Sequence, residues 1–285
     1  MTAFGIILHH ERAQAAELAG DAVAWLEERG HEVRLPVQDA GLIGRPDLGS
    51  AEATFARGLD VAISLGGDGT MLRTIALVAG EAIPVIGVNV GQLGYLSEVE
   101  PPGMRMALKR FLAGSYEVEE RMMLDVSVEA EAYEGGPHHL AVNEAVLEKT
   151  PMGHTVRLGV SVDGEAFTPY AADGLIVATP TGSTAYAFSA RGPIVEPTHR
   201  CLQLTPVSPH MLFDRTLIFD PSALLRIEVQ GHRPATLSVD GSNLGTLREG
   251  DAVTYTASDV AARFVTFGPR DFLRILKSKF GLSDR

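Results

Sequence analysis

Residues 65 to 70 read Leu-Gly-Gly-Asp-Gly-Thr and end a short apolar run that begins at Asp60. Glycines at such a strand end turn sharply and bring backbone N–H groups to a phosphate, while the helix that follows favours negative charge at its N-terminus. Asp68 would then stand beside phosphates. A carboxylate is repelled there unless it binds a divalent cation or takes a proton from an attacking hydroxyl, and both roles belong to phosphoryl transfer. The plainer reading is a tight turn in which Asp68 caps the helix. The chain has no Gly-Lys dipeptide, hence no Walker A loop, and no GxGxxG spacing follows a strand in the dinucleotide-binding manner. Phosphate binding therefore falls to GGDGT.

Two further clusters carry polar groups in apolar surroundings. Asn143 and Glu144 interrupt what reads as one strand in HLAVNEAVLEK. An amide recognises an adenine edge or a ribose hydroxyl, and a carboxylate grips hydroxyls or a cation; taken alone, the pair reads as a loop or an edge-strand pair exposed to water. From Asp173 to Tyr186 an apolar strand delivers a turn rich in small hydroxyl residues. Thr181, Ser183 and Thr184 offer hydroxyls, Gly182 allows close approach, and Tyr186 offers a flat ring for stacking. In isolation this is a Ser/Thr-rich turn before a helix.

The elements that must hold these residues change character along the chain. Ala3 to Ile7 reads as a strand, after which Ala15, Leu18, Ala22, Trp25 and Leu26 recur at helical spacing until Gly30. His31 to Leu35, Asp60 to Leu65 and Pro84 to Val88 are further strands, and Met71 to Val78 is helical. Such alternation predicts a parallel, doubly wound α/β sheet. Beyond Arg121 helical pattern nearly vanishes and period-2 alternation takes over, as at Leu124, Val126 and Val128. Asp163-Gly164 and Asp240-Gly241 each lie between strands and read as hairpin turns. The expected tail is RFVTF, then a helix opened by Pro269 and Asp271, with Phe272, Ile275, Leu276 and Phe280 on its apolar side and packed back on the first domain.

Composition narrows the function classes. A chain of 285 residues with 45% hydrophobic and 21% charged residues buries a substantial core, and two domains are expected. Its net charge of −12, with no Lys/Arg-rich run, argues against nucleic acid and anionic membranes but not against a nucleotide. No apolar stretch approaches a membrane span and the N-terminus has no basic leader, so a cytoplasmic setting is expected. Cys201, the single cysteine, is expected in the core.

GGDGT at 66 to 70, the Asn143-Glu144 pair and DGLIVATPTGSTAYAFSARGP at 173 to 193, in this order, resemble the signatures of the NAD kinase family. LGYLSEV at 93 to 99, LSVDG at 237 to 241 and the closing helix extend the similarity over most of the chain. GGDGT alone is also similar to the motif of diacylglycerol, sphingosine and phosphofructokinase-type kinases; the NE pair and TPTGSTAY select among them. The resemblance implies a Rossmann-like domain over 1–120, completed by 262–285, and a β-sandwich-like domain over 121–261. It further implies NAD held between them and across a subunit contact of a homodimer or homotetramer.

The resemblance also assigns roles. Asp68, with Gly67 and Gly69 alongside, takes the proton of the adenosine ribose 2′-hydroxyl, and Arg73 stands where the family often has a basic residue. Asn143 and Glu144 match the pair that grips the adenosine half, and Asp173 matches a residue near the nicotinamide half. Thr184, Ala185, Tyr186 and Ser189 match the wall of the nucleotide pocket, and His154 a ligand contact. Ala171 and Ser242 depart from the family pattern. The donor is ATP or polyphosphate, and Mg²⁺ arrives with the triphosphate rather than in a protein cage. A lipid or sugar kinase sharing GGDGT, and a non-catalytic NAD(H)-sensing module, are the alternatives.

Overall fold

The computed structural model describes residues 1–91, 94–131, 133–150, 154–268 and 272–282. They form two compact units, 1–120 with 262–285 and 121–261.

In the first unit β1 (Ala3–Leu8), β2 (Glu32–Pro36), β3 (Gly49–Ser50), β4 (Val61–Gly66) and β5 (Val85–Asn89) form a parallel sheet in the order β5-β4-β1-β2-β3. Every residue of β1, β4 and β5 is buried, the pattern of strands covered on both faces. α1 (Ala13–Glu27) lays Ala15, Ala19, Ala22 and Leu26 against Phe4, Ile6, Ile63 and Ile86 of the sheet. α2 (Val37–Leu42), α3 (Glu52–Phe55), α4 (Asp68–Val78) and α5 (Met104–Leu112) complete the unit. β1 lies between β2 and β4, so strand order reverses there, and the C-terminal ends of β1 and β4 open a crevice of the kind that receives ligands in doubly wound sheets.

The second unit begins within β6 (Glu117–Glu129), which pairs antiparallel with β7 (His138–Ala141). β8 (Glu144–Lys149), β9 (Val156–Val162), β10 (Glu165–Ala172) and β11 (Gly174–Ala178) follow, then α6 (Tyr186–Ser189). β12 (Leu202–Val207), β13 (Leu217–Phe219), β14 (Leu225–Gln230), β15 (Ala235–Val239), β16 (Ser242–Leu247) and β17 (Ala252–Thr266) complete it. One antiparallel sheet runs β13-β12-β11-β8-β15-β16; another contains β10-β9-β14-β17 with β6 and β7. Their inward residues, among them Leu147, Leu175 and Leu237 from one and Leu158, Ile227 and Tyr255 from the other, make a single core. Both expected Asp-Gly hairpins are present, with φ of 50° and 84° at Asp163-Gly164 and 46° and 80° at Asp240-Gly241, the doubly positive geometry that matches strand twist. Cys201 is buried.

Three expectations change. The helix after GGDGT starts at Asp68, not Met71, so the glycine-rich turn is already its first turn, with Gly67 at the cap position. The NE pair does not lie inside one strand: β7 ends at Ala141 and β8 begins at Glu144, leaving Asn143 in the break. In α7 (Phe272–Phe280) the apolar side is only half-covered, Phe280 being 40% exposed. The Pro269 and Asp271 cap expected there, and Leu93 of LGYLSEV, lie outside the described residues.

Tyr255 is fully buried and, among the described residues, its hydroxyl has no hydrogen-bond partner; burial pushes its phenol pKa up. An unsatisfied buried hydroxyl costs about 1 to 3 kcal/mol, so Tyr255→Phe is expected to stabilise the protein by about 1 kcal/mol. A lower melting temperature for this variant would show that the hydroxyl is satisfied in solution.

Candidate functional site

The first cluster gathers at the crevice of the parallel sheet. Gly67, Asp68, Gly69, Thr70 and Arg73 line a cavity of about 620 Å³ together with Leu8 to Arg12 from the end of β1, Gly94, and Lys279 of α7. Asp68 opens α4, where the free N–H groups of the first turn favour an anion. Its carboxylate is held from the far side: Oδ2 accepts the N–H of Tyr95 at 2.9 Å and Oδ1 that of Leu96 at 3.0 Å. Gly94 makes this approach possible, because a Cβ there would sit 2.0 Å from Asp68 Oδ1. A carboxylate has about four lone-pair sites, so fixing the group with two amides leaves acceptor capacity toward the cavity.

The basic side chains of this cavity come from scattered positions. His9, His10, Arg12, Arg73 and Lys279 stand around Asp68, and Lys279 lies over the Tyr95 ring at 5.0 Å. Burial and the neighbouring Asp68 charge push the Tyr95 phenol up. Of these residues only Arg73 was expected from the sequence. The others lie far apart along the chain or in a segment with no basic run, so no local pattern announces them.

The second cluster forms in the other unit. Asn143 sits between β7 and β8 because Asp240 captures the backbone there: its carboxylate accepts the N–H groups of Val142 at 2.7 Å, Asn143 at 2.8 Å and Glu144 at 3.1 Å. These amides leave the ladder for a side chain, which is why the strand breaks at the polar pair. The Asp173–Tyr186 segment closes over the same place. Thr179 donates its N–H to the Asn143 carbonyl at 2.9 Å and its hydroxyl to the Val142 carbonyl at 2.6 Å. Gly182 packs so tightly that a Cβ would fall 2.1 Å from the Asn143 oxygen. Two stretches some 40 residues apart thus become one surface, where Thr184 and Ala185 are half-buried and Tyr186 and Ser189 exposed.

Electrostatics mark this surface as unusual. Burial, helped by the Asp240 charge, lifts the Glu144 carboxyl to about 8, the Tyr186 N–H being the opposing influence. Burial also raises Asp240, against the pull of its three backbone donors. At neutral pH Glu144 therefore carries its proton and both donates and accepts hydrogen bonds. Its Oε2 is buried without a hydrogen-bond partner among the described residues. The Tyr186 phenol is raised by burial first, then by Glu148, Asp173 and Glu144.

Asp173 is half-buried and bound to Lys149 at 2.8 Å. Tyr186 and Ser189 also line a cavity of about 770 Å³ with Arg191, Pro206, Arg215 and Thr216. His154 stands exposed next to residues 151–153, which lie outside the described set, and the contacts described do not draw it into the cluster. Asp240 was foreseen only as a turn residue. Its Asp-Gly neighbour was the available signal; its reach to the Asn143 backbone depends on strand pairing.

Known proteins match this arrangement over the whole chain. The family model for the ATP-NAD kinase N-terminal domain matches residues 4–116, and that for the ATP-NAD kinase C-terminal domain matches residues 142–267. An NAD kinase of Heliobacterium modesticaldum is 40% identical over 281 residues, covering 98% of this chain and 98% of its own. That of Symbiobacterium thermophilum is 39% identical over 280 residues, covering 98% and 99%. Among solved structures, yeast NADH kinase complexed with NADH superposes with a TM-score of 0.90 at 25% identity, covering 100% of this chain and 89% of that one. An NAD kinase from Archaeoglobus fulgidus in complex with ATP superposes with a TM-score of 0.74 at 25% identity, covering 99% and 98%.

The elevated Glu144 carboxyl ties stability to pH. The ordinary glutamate value is 4.5, which the unfolded chain is expected to keep, and the fold lifts it to about 8. Between these values the unfolded chain releases a proton that the folded one retains, so this group's contribution to stability is lost as pH rises through the window. Glu144→Gln removes the titration and keeps an acceptor for the Tyr186 N–H. Relative to the parent, the variant should melt higher at about pH 8 than at about pH 5. A stability difference independent of pH would mean that Glu144 ionises normally.

Proposed function

This chain belongs to the NAD kinase family, and on that premise we propose that it transfers the terminal phosphoryl group of ATP to the 2′-hydroxyl of the adenosine ribose of NAD, forming NADP and ADP. The observation that carries the mechanism is Asp68, a carboxylate fixed by the Tyr95 and Leu96 amides at the mouth of a cation-lined cavity on a helix N-terminus. Asp68 takes the 2′-hydroxyl proton as the ribose oxygen bonds to the terminal phosphorus; the bond from that phosphorus to the bridging oxygen breaks, and ADP leaves with the electron pair. Gly67 and Gly69 let the donor phosphates approach the backbone of the first helical turn.

Mg²⁺ offsets negative charge on the triphosphate it accompanies. The fit to this chain is through oxygen: Asp68 and Glu11 are the carboxylates lining the cavity, a donor set suited to Mg²⁺ and poor for a softer metal. NAD is recognised by the second unit. Protonated Glu144 and the Asn143 amide bond the adenosine ribose and base, and the surface of Thr184, Ala185, Tyr186 and Ser189 supplies the wall. Asp173 lies toward the nicotinamide half, with His154 as a further contact. Homo-oligomerisation, a cytoplasmic setting and use of polyphosphate as donor belong to the same proposal.

The rival readings differ in what they require. A lipid kinase calls for an apolar groove beside GGDGT, whereas the cavity there is ringed by His, Arg and Lys. A sensing module has no use for a carboxylate clamped beside phosphates. Among the described residues no helix is long and apolar enough to cross a membrane.

Two measurements test the proposal. NADP formation from NAD, ATP and Mg²⁺ should be lost on Asp68→Asn by roughly 10²- to 10⁴-fold in turnover, with the NAD dissociation constant little changed. Turnover near that of the parent would remove Asp68 as the base. Tyr186→Ala should weaken NAD binding by an amount equivalent to about 0.5 to 1.5 kcal/mol while ATP binding holds. Calorimetric titration separates the two ligands, and equal weakening of both would refute the pocket-wall role.

A further inference from the structure

Behind the donor cavity lies a carboxylate that the mechanism above does not use. Asp39, in α2, is completely buried, yet it ends a short chain of contacts leading to the cavity. Its Oδ2 accepts the N–H of Leu8 at 2.9 Å. Its Oδ1 accepts from the Arg73 guanidinium at 2.5 Å and lies 2.8 Å from His10 Nε2. Arg73 also donates to the Leu8 carbonyl at 3.3 Å and meets His10 Nε2 at 2.8 Å. Leu8, His10 and Arg73 line the cavity; Asp39 does not.

Resting on the kinase reading, we infer that Asp39 is a positioning residue, which holds the Arg73 guanidinium against the end of β1 so that its remaining N–H groups face the phosphates of the donor. Burying a carboxylate is costly unless it is paired and hydrogen-bonded, and here its partner is a cation only 30% exposed at the cavity wall. An unanchored Arg on the surface spends its interaction energy on ordering a long side chain. One fastened at Asp39 and the Leu8 carbonyl presents a planar fork already oriented for phosphate oxygens. Arg73 stands on the helix whose first turn is the GGDGT turn, so the fork and the helix N-terminus act on one anion.

The pair is tested in the intact protein with Mg²⁺-ATP as probe. Asp39→Asn keeps the side-chain shape and an acceptor for Leu8 but removes the charge that fixes Arg73. The dissociation constant and KM for ATP should rise about tenfold, the scale of one charge-assisted hydrogen bond, while the dissociation constant for NAD stays within about twofold. In an Arg73→Ala background the same substitution should add less than about twofold, because residues acting as one unit are not additive. Arg73→Lys, which keeps the charge without the fork and leaves Asp39 in place, should weaken ATP about as much as Arg73→Ala, and it carries the test if Asp39→Asn does not fold. The inference is overturned if ATP binding is unchanged by Asp39→Asn or Arg73→Lys, if the Asp39 effect persists without Arg73, or if NAD binding is what weakens. Absence of NADP formation by the parent protein would instead overturn the kinase reading itself.

Discussion

The grip of the Tyr95 and Leu96 backbone amides on the Asp68 carboxylate is the constraint around which the first unit is arranged. A free carboxylate at the start of a helix would swing toward its own first-turn amides as an ordinary cap. Here the Asp68 oxygens accept instead from the Tyr95 and Leu96 amides in the loop after β5. The loop reaches it because Gly94 has no Cβ, and the loop is placed because β5 pairs with β4 over Ala62 to Gly66. Sheet register therefore determines where the carboxylate stands.

A second carboxylate does comparable work in the other unit. Asp240 holds three consecutive amides and so opens a gap between β7 and β8 where Asn143 and Glu144 would otherwise continue a ladder. The consequence is electrostatic as well as geometric. Packing one acid on the backbone of another leaves Glu144 in a site too dry, and too near a negative neighbour, to ionise at neutral pH. A polar pair that looks like a flaw in a strand becomes a protonated donor and an amide at one surface.

Much of this was legible in the residues. Both Asp-Gly hairpins follow from local backbone preference, since few residue types tolerate two successive positive φ angles. The parallel strands follow from short apolar runs with both faces buried. The helix start was misplaced by three residues because glycines usually interrupt helices, whereas in a first turn their cost is small. The half-covered apolar side of α7 was equally out of reach, because amphipathic spacing states which face is apolar and not how much of it is covered.

By itself the sequence determined the alternation of elements, the glycine-rich turn after β4 and the polar clusters, since these depend on neighbours within a few residues. Tertiary structure alone decided that Asp39 stands behind Arg73, that Asp240 breaks the strand at Asn143, and that His10, Arg12 and Lys279 surround Asp68. The physical reason is range. Hydrogen bonds and charges act over a few ångströms, and only strand pairing and core packing bring residues 39 and 73, or 143 and 240, within that distance.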